Sequence, residues 1–319
     1  MSYSAKAHFS IISMLYAYRS TAVALAALDT GILSRLSVVG SESASGLVSA
    51  LALDPESARR FLRALVVFEF VVCDTGLYEL ADLGHALLAS PYHLRERALL
   101  TREQYLGGWS GLSAAIKSGG SGFEHKYGTD VWEDRRRKPE LQVAFTKLMQ
   151  LNRSHVISGT MDFPFEDYSL VVDVGGSDGT LLTALLERYP RMQTCLYDRP
   201  EVVTNVVPSE RMRVTGGSFF DFVPFGGDLY ILCHVLHDWA DLPAIHILKN
   251  CRRLGTSVLV IEHTLSEVPT KDEVLRDLHM MAVTGGKERT RAEFEQLFQQ
   301  AGYELTRSSD LWMLLRPTP

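Results

Sequence analysis

Apolar positions set the first half of the chain in a helical rhythm. Ile11, Ile12, Leu15, Tyr16, Val23, Leu25, Ala26 and Leu28 recur at helical spacing and predict helix across 9–36, broken at Thr30-Gly31. A second helix is expected to start near Ser41 or Ser43, since either can serve as N-cap. Asp54-Pro55-Glu56 is a helix start: Asp caps, Pro takes the first helical position and Glu the first turn. Phe61, Leu62, Leu65 and Val66 then form the inward stripe. Val71–Cys73 and Leu77–Leu80 flank Asp74-Thr75-Gly76 as a hairpin. Three helices followed by a hairpin make a winged-helix pattern. Residues 84–165 read as mainly helical, with many aromatics (Tyr105, Trp109, Phe123, Tyr127, Trp132, Phe145) and Gly-Ser interruptions at 118–122.

From Tyr168 the period changes. Strands are expected at 169–174, 194–197, 212–215, 228–233 and 257–262, and helices at 179–188, 200–206, 242–253 and 291–301. Two short strands follow near 303–307 and 311–315. Such alternation predicts an α/β, doubly wound parallel sheet with right-handed crossovers. The domain plan is 1–95, then a helical segment 96–165, then 166–319.

The sharpest stretch lies at the start of that sheet. Val171, Val172 and Val174 form a buried strand that breaks at Gly175-Gly176-Ser177-Asp178-Gly179 and runs into a helix. Glycines there admit a ligand close to the backbone and leave the helix N–H groups open. This is a nucleotide-type site at a strand's carboxyl end. The dinucleotide fingerprint G-x-G-x-x-G is not met, because positions 177 and 180 are Ser and Thr. Asp198 ends the next strand, where an acid takes both ribose hydroxyls of an adenosine. His237, Glu262 and Glu288 fall at or beyond the ends of later strands, beside the same crevice.

Composition narrows the classes. The chain has 319 residues, 46% hydrophobic and 22% charged, which suits one large and one smaller globular domain. A net charge of -6 argues against a nucleic-acid binder, and Arg59, Arg60 and Arg63 on the candidate recognition helix are offset by Glu56 and Glu69. The first domain therefore reads as a packing or dimerisation module. Cys73, Cys195, Cys233 and Cys251 show no metal spacing and are expected reduced and mostly buried. The N-terminus is not a signal peptide, and no apolar run reaches about 18 residues, so no membrane span is expected and a cytoplasmic protein is the default. The Arg135–Lys138 run is read as a solvated face.

Several motifs lie together: Asp173-Val174-Gly175-Gly176, Tyr197-Asp198-Arg199-Pro200, Gly216-Gly217, Leu236-His237-Asp238-Trp239, and Gly285-Gly286-Lys287-Glu288-Arg289-Thr290 followed by Phe294. With them the chain resembles, over nearly its whole length, the S-adenosylmethionine-dependent small-molecule O-methyltransferases of the plant caffeate and bacterial antibiotic or phenazine type. The resemblance implies a Rossmann-like methyltransferase domain at 166–319 and an N-terminal winged-helix-like dimerisation domain. The segment 96–165 would contribute to the acceptor pocket. It makes His237 the general base, flanked and oriented by Glu262 and Glu288. Asp173, Gly175, Gly176, Asp198, Arg199, Ser218, Phe219 and Cys233 become the cofactor-binding set. Ser218 stands where relatives often carry Asp, Cys233 where they carry Lys or Arg, and Ser177 replaces the middle glycine of the turn. Phe145, Met149, Trp239, His279 and Met280 are the expected acceptor pocket; an aromatic with a Met one turn on can grip a flat ring, though it also packs cores.

A phenol of pKa near 10 is mostly protonated at neutral pH, so methyl transfer gains from a His that takes the proton, worth about 10²–10⁴-fold. Asp238 is expected to cap the following helix and Asp173 to brace the turn. His234, His246, His263 and His279 are expected to be structural, and no ligand spacing supports a metal. The expected partners are a small aromatic substrate and a second copy of the chain, with no nucleic acid and no membrane. The alternatives are N-methylation of a heteroaromatic nitrogen, a relative that uses the bound sulfonium for a non-methylating reaction, and a winged-helix transcriptional regulator.

Overall fold

Two capped helices anchor the N-terminal part. Ser43 Oγ accepts from Gly46 N, and Asp54 Oδ1 accepts from Ser57 N at 2.8 Å, both as the sequence predicts. The computed structural model describes residues 5–253 and 255–318. The chain divides into two compact units, Met1–Arg102 and Glu103–Pro319. In the first unit come α1 (Ala5–Tyr16), α2 (Tyr18–Asp29), α3 (Ile32–Val39), β1 (Ser41–Ser43), α4 (Ala44–Leu51), α5 (Pro55–Val67), β2 (Val71–Asp74), β3 (Leu77–Leu80), α6 (Asp82–Ala89) and α7 (Leu94–Leu100). β2 and β3 form the expected hairpin, and β1 adds a third antiparallel strand to it. Leu33, Leu36, Leu47, Leu62 and Leu65 make the core of this unit.

Helix α1 lies outside that core. Phe9, Ile11, Ile12, Met14, Leu15 and Tyr16 are all exposed. Across the turn at Ala17 the apolar stretch runs Lys6–Asp29, 24 residues, with a window of mean hydropathy 1.5, almost none of it buried. By length and composition alone it could cross a membrane, which corrects the expectation that no such stretch exists. Ser10, Ser13 and Arg19 interrupt the apolar run without lowering its average enough.

The second unit opens with α8 (Leu106–Ser110), α9 (Leu112–Ser118), α10 (Gly122–Tyr127), α11 (Val131–Arg137) and α12 (Pro139–Thr160). The sheet segment follows: β4 (Leu170–Val174), α13 (Thr180–Arg188), β5 (Gln193–Asp198), α14 (Pro200–Val203), β6 (Met212–Gly216), β7 (Leu229–Cys233), α15 (Asp241–Arg252) and β8 (Ser257–Ile261). It closes with β9 (Thr264–Leu265), α16 (Lys271–Val283), β10 (Arg289–Thr290), α17 (Arg291–Ala301), β11 (Tyr303–Ser308) and β12 (Trp312–Pro317). The sheet order is β11-β12-β8-β7-β4-β5-β6. Strands β4 to β8 are parallel; β12 and β11 extend the edge antiparallel.

Alternate residues of each parallel strand enter opposite cores. Val172 and Val174 pack with α15 and α17, whereas Val171 packs with Leu181, Leu182 and Leu185 of α13. Burial on both faces explains why these strands read as continuous apolar runs. Strand β4 lies where the order reverses, between β5 and β7, so the ligand crevice opens at its carboxyl end.

Helix α16 was not foreseen. Its signal was available: Thr270 and Glu273 form a complete capping box. Helix 200–206 stops at Val203. The cation run is corrected at one position. Arg136 and Arg137 are exposed and pair with Glu133, but Arg135 is buried. Successive helical side chains diverge by about 100°, so four cations in a row cannot all face solvent once one helix face is packed.

Candidate active site

The turn after β4 is held from two sides. Gly175 N donates to Tyr197 O at 2.7 Å, and Ser177 N donates to Asp198 Oδ2 at 2.8 Å. Asp198 Oδ1 accepts from Arg199 N at 2.7 Å. Thus Asp198 ties the turn to the end of β5, and burial raises its pKa against these bonds. Gly175 has φ +79° and Ser177 has φ +56°, so the serine occupies a left-handed position that glycine takes at less cost. A Cβ at Gly176 would lie 2.6 Å from Asp173 Oδ2. Asp173 is buried beneath the turn, its Oδ1 has no hydrogen-bond partner among the described residues, and burial raises it to about 7. From α12, Arg153 donates to Gly176 O at 3.1 Å and pairs with Asp178, which also accepts from Gln150. Neither Gln150 nor Arg153 was singled out in the sequence.

The other expected cofactor residues have these local contacts. Phe219 sits beside the turn, 3.7 Å from where a Gly175 Cβ would stand. Ser218 Oγ accepts from Phe220 N at 3.2 Å, shaping that loop. Cys233 ends β7, its thiol pushed up by burial. The Arg199 side chain is committed elsewhere: it donates to Trp132 O and Gln142 Oε1 and pairs with Glu201.

Beyond β7, His237 lies on a short 3-10 turn, Leu236–Asp238. Its Nδ1 is 3.2 Å from Glu262 Oε2 and 3.9 Å from Glu288 Oε1; its Nε2 is 3.8 Å from Asp238 Oδ1. Glu262 Oε1 accepts from Leu236 N at 2.8 Å and His237 N at 3.3 Å. Burial alone would lower the imidazole, but Glu262, Asp238 and Glu288 outweigh it and raise His237 to about 10. Burial likewise pushes Glu262 up, yet the contact with His237 leaves it lowered, while Glu288 ends raised by its burial.

Glu288 reaches the site because β10 pairs with β9 just past β8. Its loop lies on the His237 turn: Lys287 N donates to His237 O at 2.9 Å, and a Cβ at Gly286 would come 2.0 Å from that oxygen. Arg289, fully buried, donates to Leu236 O and Trp239 O.

Asp238 does not cap α15, which corrects the expectation. Ala240 is the N-cap residue, without a side-chain bond. Asp238 instead faces His237, and burial raises it to about 6 against the pull of His237 and Arg135.

Among the residues expected to line the acceptor pocket, Trp239 stacks on Trp132 at 6.1 Å, and Phe145 meets Trp132 edge-on at 5.8 Å. The Arg135 guanidinium lies 3.8 Å from the Phe145 ring centre, and burial lowers it to about 10. His279 Nδ1 accepts from Trp109 Nε1 at 3.2 Å; burial, with Arg135 nearby, lowers it to about 4 and keeps it neutral. Met149 is half-buried on α12, one turn beyond Phe145, and Met280 is half-buried on α16.

This sheet and crevice define a nucleotide-site α/β enzyme of the methyltransferase kind. A family model for the O-methyltransferase domain matches residues 109–304. O-methyltransferase SfmM3 of Streptomyces lavendulae is 32% identical over 93% of this chain and 95% of its own length. Phenazine-1-carboxylate N-methyltransferase of Pseudomonas aeruginosa is 30% identical over 87% of this chain and 86% of its own. The O-methyltransferase NcsB1 of neocarzinostatin biosynthesis, crystallised with S-adenosylmethionine and 2-hydroxy-5-methyl naphthoic acid, aligns with a TM-score of 0.76 at 27% identity, covering 93% of this chain and 96% of that one. The chain belongs to the O-methyltransferase family and is an S-adenosylmethionine-dependent enzyme.

Proposed function

We infer that this enzyme methylates a hydroxyl of a small aromatic secondary metabolite, with His237 as general base. The observation that carries this is His237 Nδ1 facing two buried carboxylates, Glu262 and Glu288, which leaves Nε2 for the acceptor. A carboxylate at Nδ1 keeps the proton on that nitrogen and stabilises the imidazolium formed on Nε2. The surrounding carboxylates raise His237 above its ordinary value, toward the phenol range, which strengthens it as a base.

The residues at β4 and β5 fit the methyl donor. Gly176 leaves a cradle that a side chain would fill, Asp198 at the end of β5 is assigned to the ribose hydroxyls, and the unpartnered Asp173 oxygen suits a cationic group. When bound, S-adenosylmethionine supplies an electrophilic methyl on sulfur. Phe145, Trp132 and Trp239 supply flat surface for an aromatic ring, and Met149, His279 and Met280 are assigned to the rest of that pocket. The exposed apolar residues of α1 support a homodimer in which a second copy covers them.

A second reading, methylation of a heteroaromatic nitrogen, has support from the N-methylating relative. Incubation with labelled S-adenosylmethionine and a panel of phenols and N-heteroaromatics separates the two. Label on phenols is expected; label on nitrogen heterocycles alone would overturn the hydroxyl assignment.

The pH profile tests the base. The active form carries neutral His237, so kcat/KM rises with pH and levels off only above its raised pKa. Glu262→Gln removes the largest charge that raises His237, so the rising limb should shift to lower pH by about one unit or more. The plateau should also fall. A limb that stays in place would remove Glu262 from that role.

A further inference from the structure

The ends of β7 and β8 hold an imidazole that the transfer reaction does not use. His234, His237 and Glu262 each offer one ligand atom, and these atoms lie within 4.8 Å of one another. Glu262 Oε2 is 3.2 Å from His237 Nδ1 and 3.8 Å from His234 Nδ1. Residue spacing could not reveal this set, because one ligand comes from the neighbouring strand. Strands β7 and β8 pair with Cys233 opposite Ile261, so His234 and Glu262 leave the sheet side by side.

A second observation points to a ligand. His237 Nδ1 and Glu262 Oε2 are shut off from solvent, yet among the described residues neither makes a hydrogen bond. At 3.2 Å the two are in ion-pair contact. Zinc-ligand lengths of about 2.0–2.2 Å place neighbouring atoms of a tetrahedral site roughly 3.3–3.5 Å apart, and the two Oε2 contacts, 3.2 and 3.8 Å, bracket that range. The other Glu262 oxygen is fixed by two backbone N–H groups, so Oε2 is aimed in advance.

We propose that His234, His237 and Glu262 form a three-ligand site for a divalent transition metal of the zinc type, and that the ion switches the base off. Two His and one Glu with a fourth position open is a set that zinc accepts. A metal on Nδ1 of a neutral imidazole leaves the proton on Nε2. The nitrogen that should accept the phenol proton then becomes a donor. The inhibition rests on His237 being the base; the site itself does not.

Cobalt(II) alone, added to the metal-stripped full-length protein, tests the site by its visible absorption. One equivalent should give a tetrahedral spectrum that Zn²⁺ displaces. His234→Ala should lose it, whereas His263→Ala, whose ring lies 5.1 Å from that of His234, should keep it. Zn²⁺ should inhibit methyl transfer, with recovery in EDTA. With each variant normalised to its own rate in EDTA, His234→Ala should need at least about tenfold more Zn²⁺, since loss of even an outer-shell partner costs about 10–100-fold in affinity. No cobalt spectrum, or one unchanged by His234→Ala, overturns the site. A His234-dependent spectrum without inhibition keeps the site and removes His237 as the base.

Discussion

His237→Ala should lower kcat for O-methylation by about 10²–10⁴-fold while S-adenosylmethionine binding stays within about twofold. The acceptor itself sets a residual rate. At pH 7 about one phenol in a thousand is ionised, and that fraction can still react without a base. The cofactor should be spared because its expected contacts, Gly175, Gly176 and Asp198, lie in the turn after β4 and at the end of β5, not in the 3-10 turn. Alanine also leaves Glu262 Oε2 and Glu288 buried beside an empty volume, so His237→Asn serves as the check that keeps a polar group there. In both variants the residual rate should follow the ionisation of the phenol alone. Single-turnover rates, with cofactor affinity measured by calorimetry, make the comparison. A variant that keeps more than about a tenth of the wild-type rate would remove His237 from the base role.

The sheet was legible because its strands are buried on both faces and so spell themselves as runs such as Val171–Val174 and Val258–Ile261. Once the strands are in order, His237, Glu262 and Glu288 fall to one edge of the crevice. Their mutual distances needed the register of β7 with β8 and the short β9–β10 pair, neither of which has a local signature. The misses share a cause. Arg135 and Asp238 were judged by their sequence neighbours, but Arg135 is set by contacts far along the chain and Asp238 by where the next helix starts. Arg135 meets Phe145 and Gln104; Asp238 turns to His237 because α15 starts two residues later than capping would need. Arg153 was invisible for the same reason, since it reaches from the middle of α12 to the turn after β4.

Arg289→Leu is expected to cost about 3 kcal/mol of stability and at least tenfold in kcat. Arg289 is fully buried and donates to Leu236 O at 2.9 Å, to Trp239 O at 2.8 Å, and twice to Asp241 Oδ1. Asp241 is about half exposed, so its charge rehydrates once the arginine is gone and adds little to the cost. The two carbonyls are different. Leu236 O loses a charged donor but keeps the Trp239 N–H at 3.2 Å, whereas Trp239 O loses the donor that Arg289 gave it, and a buried group left unsatisfied costs about 1–3 kcal/mol. For a unit the size of Glu103–Pro319 this lowers Tm by roughly 6–12 °C. Those carbonyls flank His237 on either side of its 3-10 turn, so their release frees the base to drift. A 1 Å displacement of a reacting group can cost about 100-fold. Arg289→Lys should recover only part of the loss, since an ammonium cannot span both carbonyls and Asp241 as the planar fork does. Thermal melts and kcat read the two effects separately. An unchanged Tm would mean that water replaces the guanidinium, and an unchanged kcat that the Gly286–Lys287 contact with His237 O holds the turn by itself.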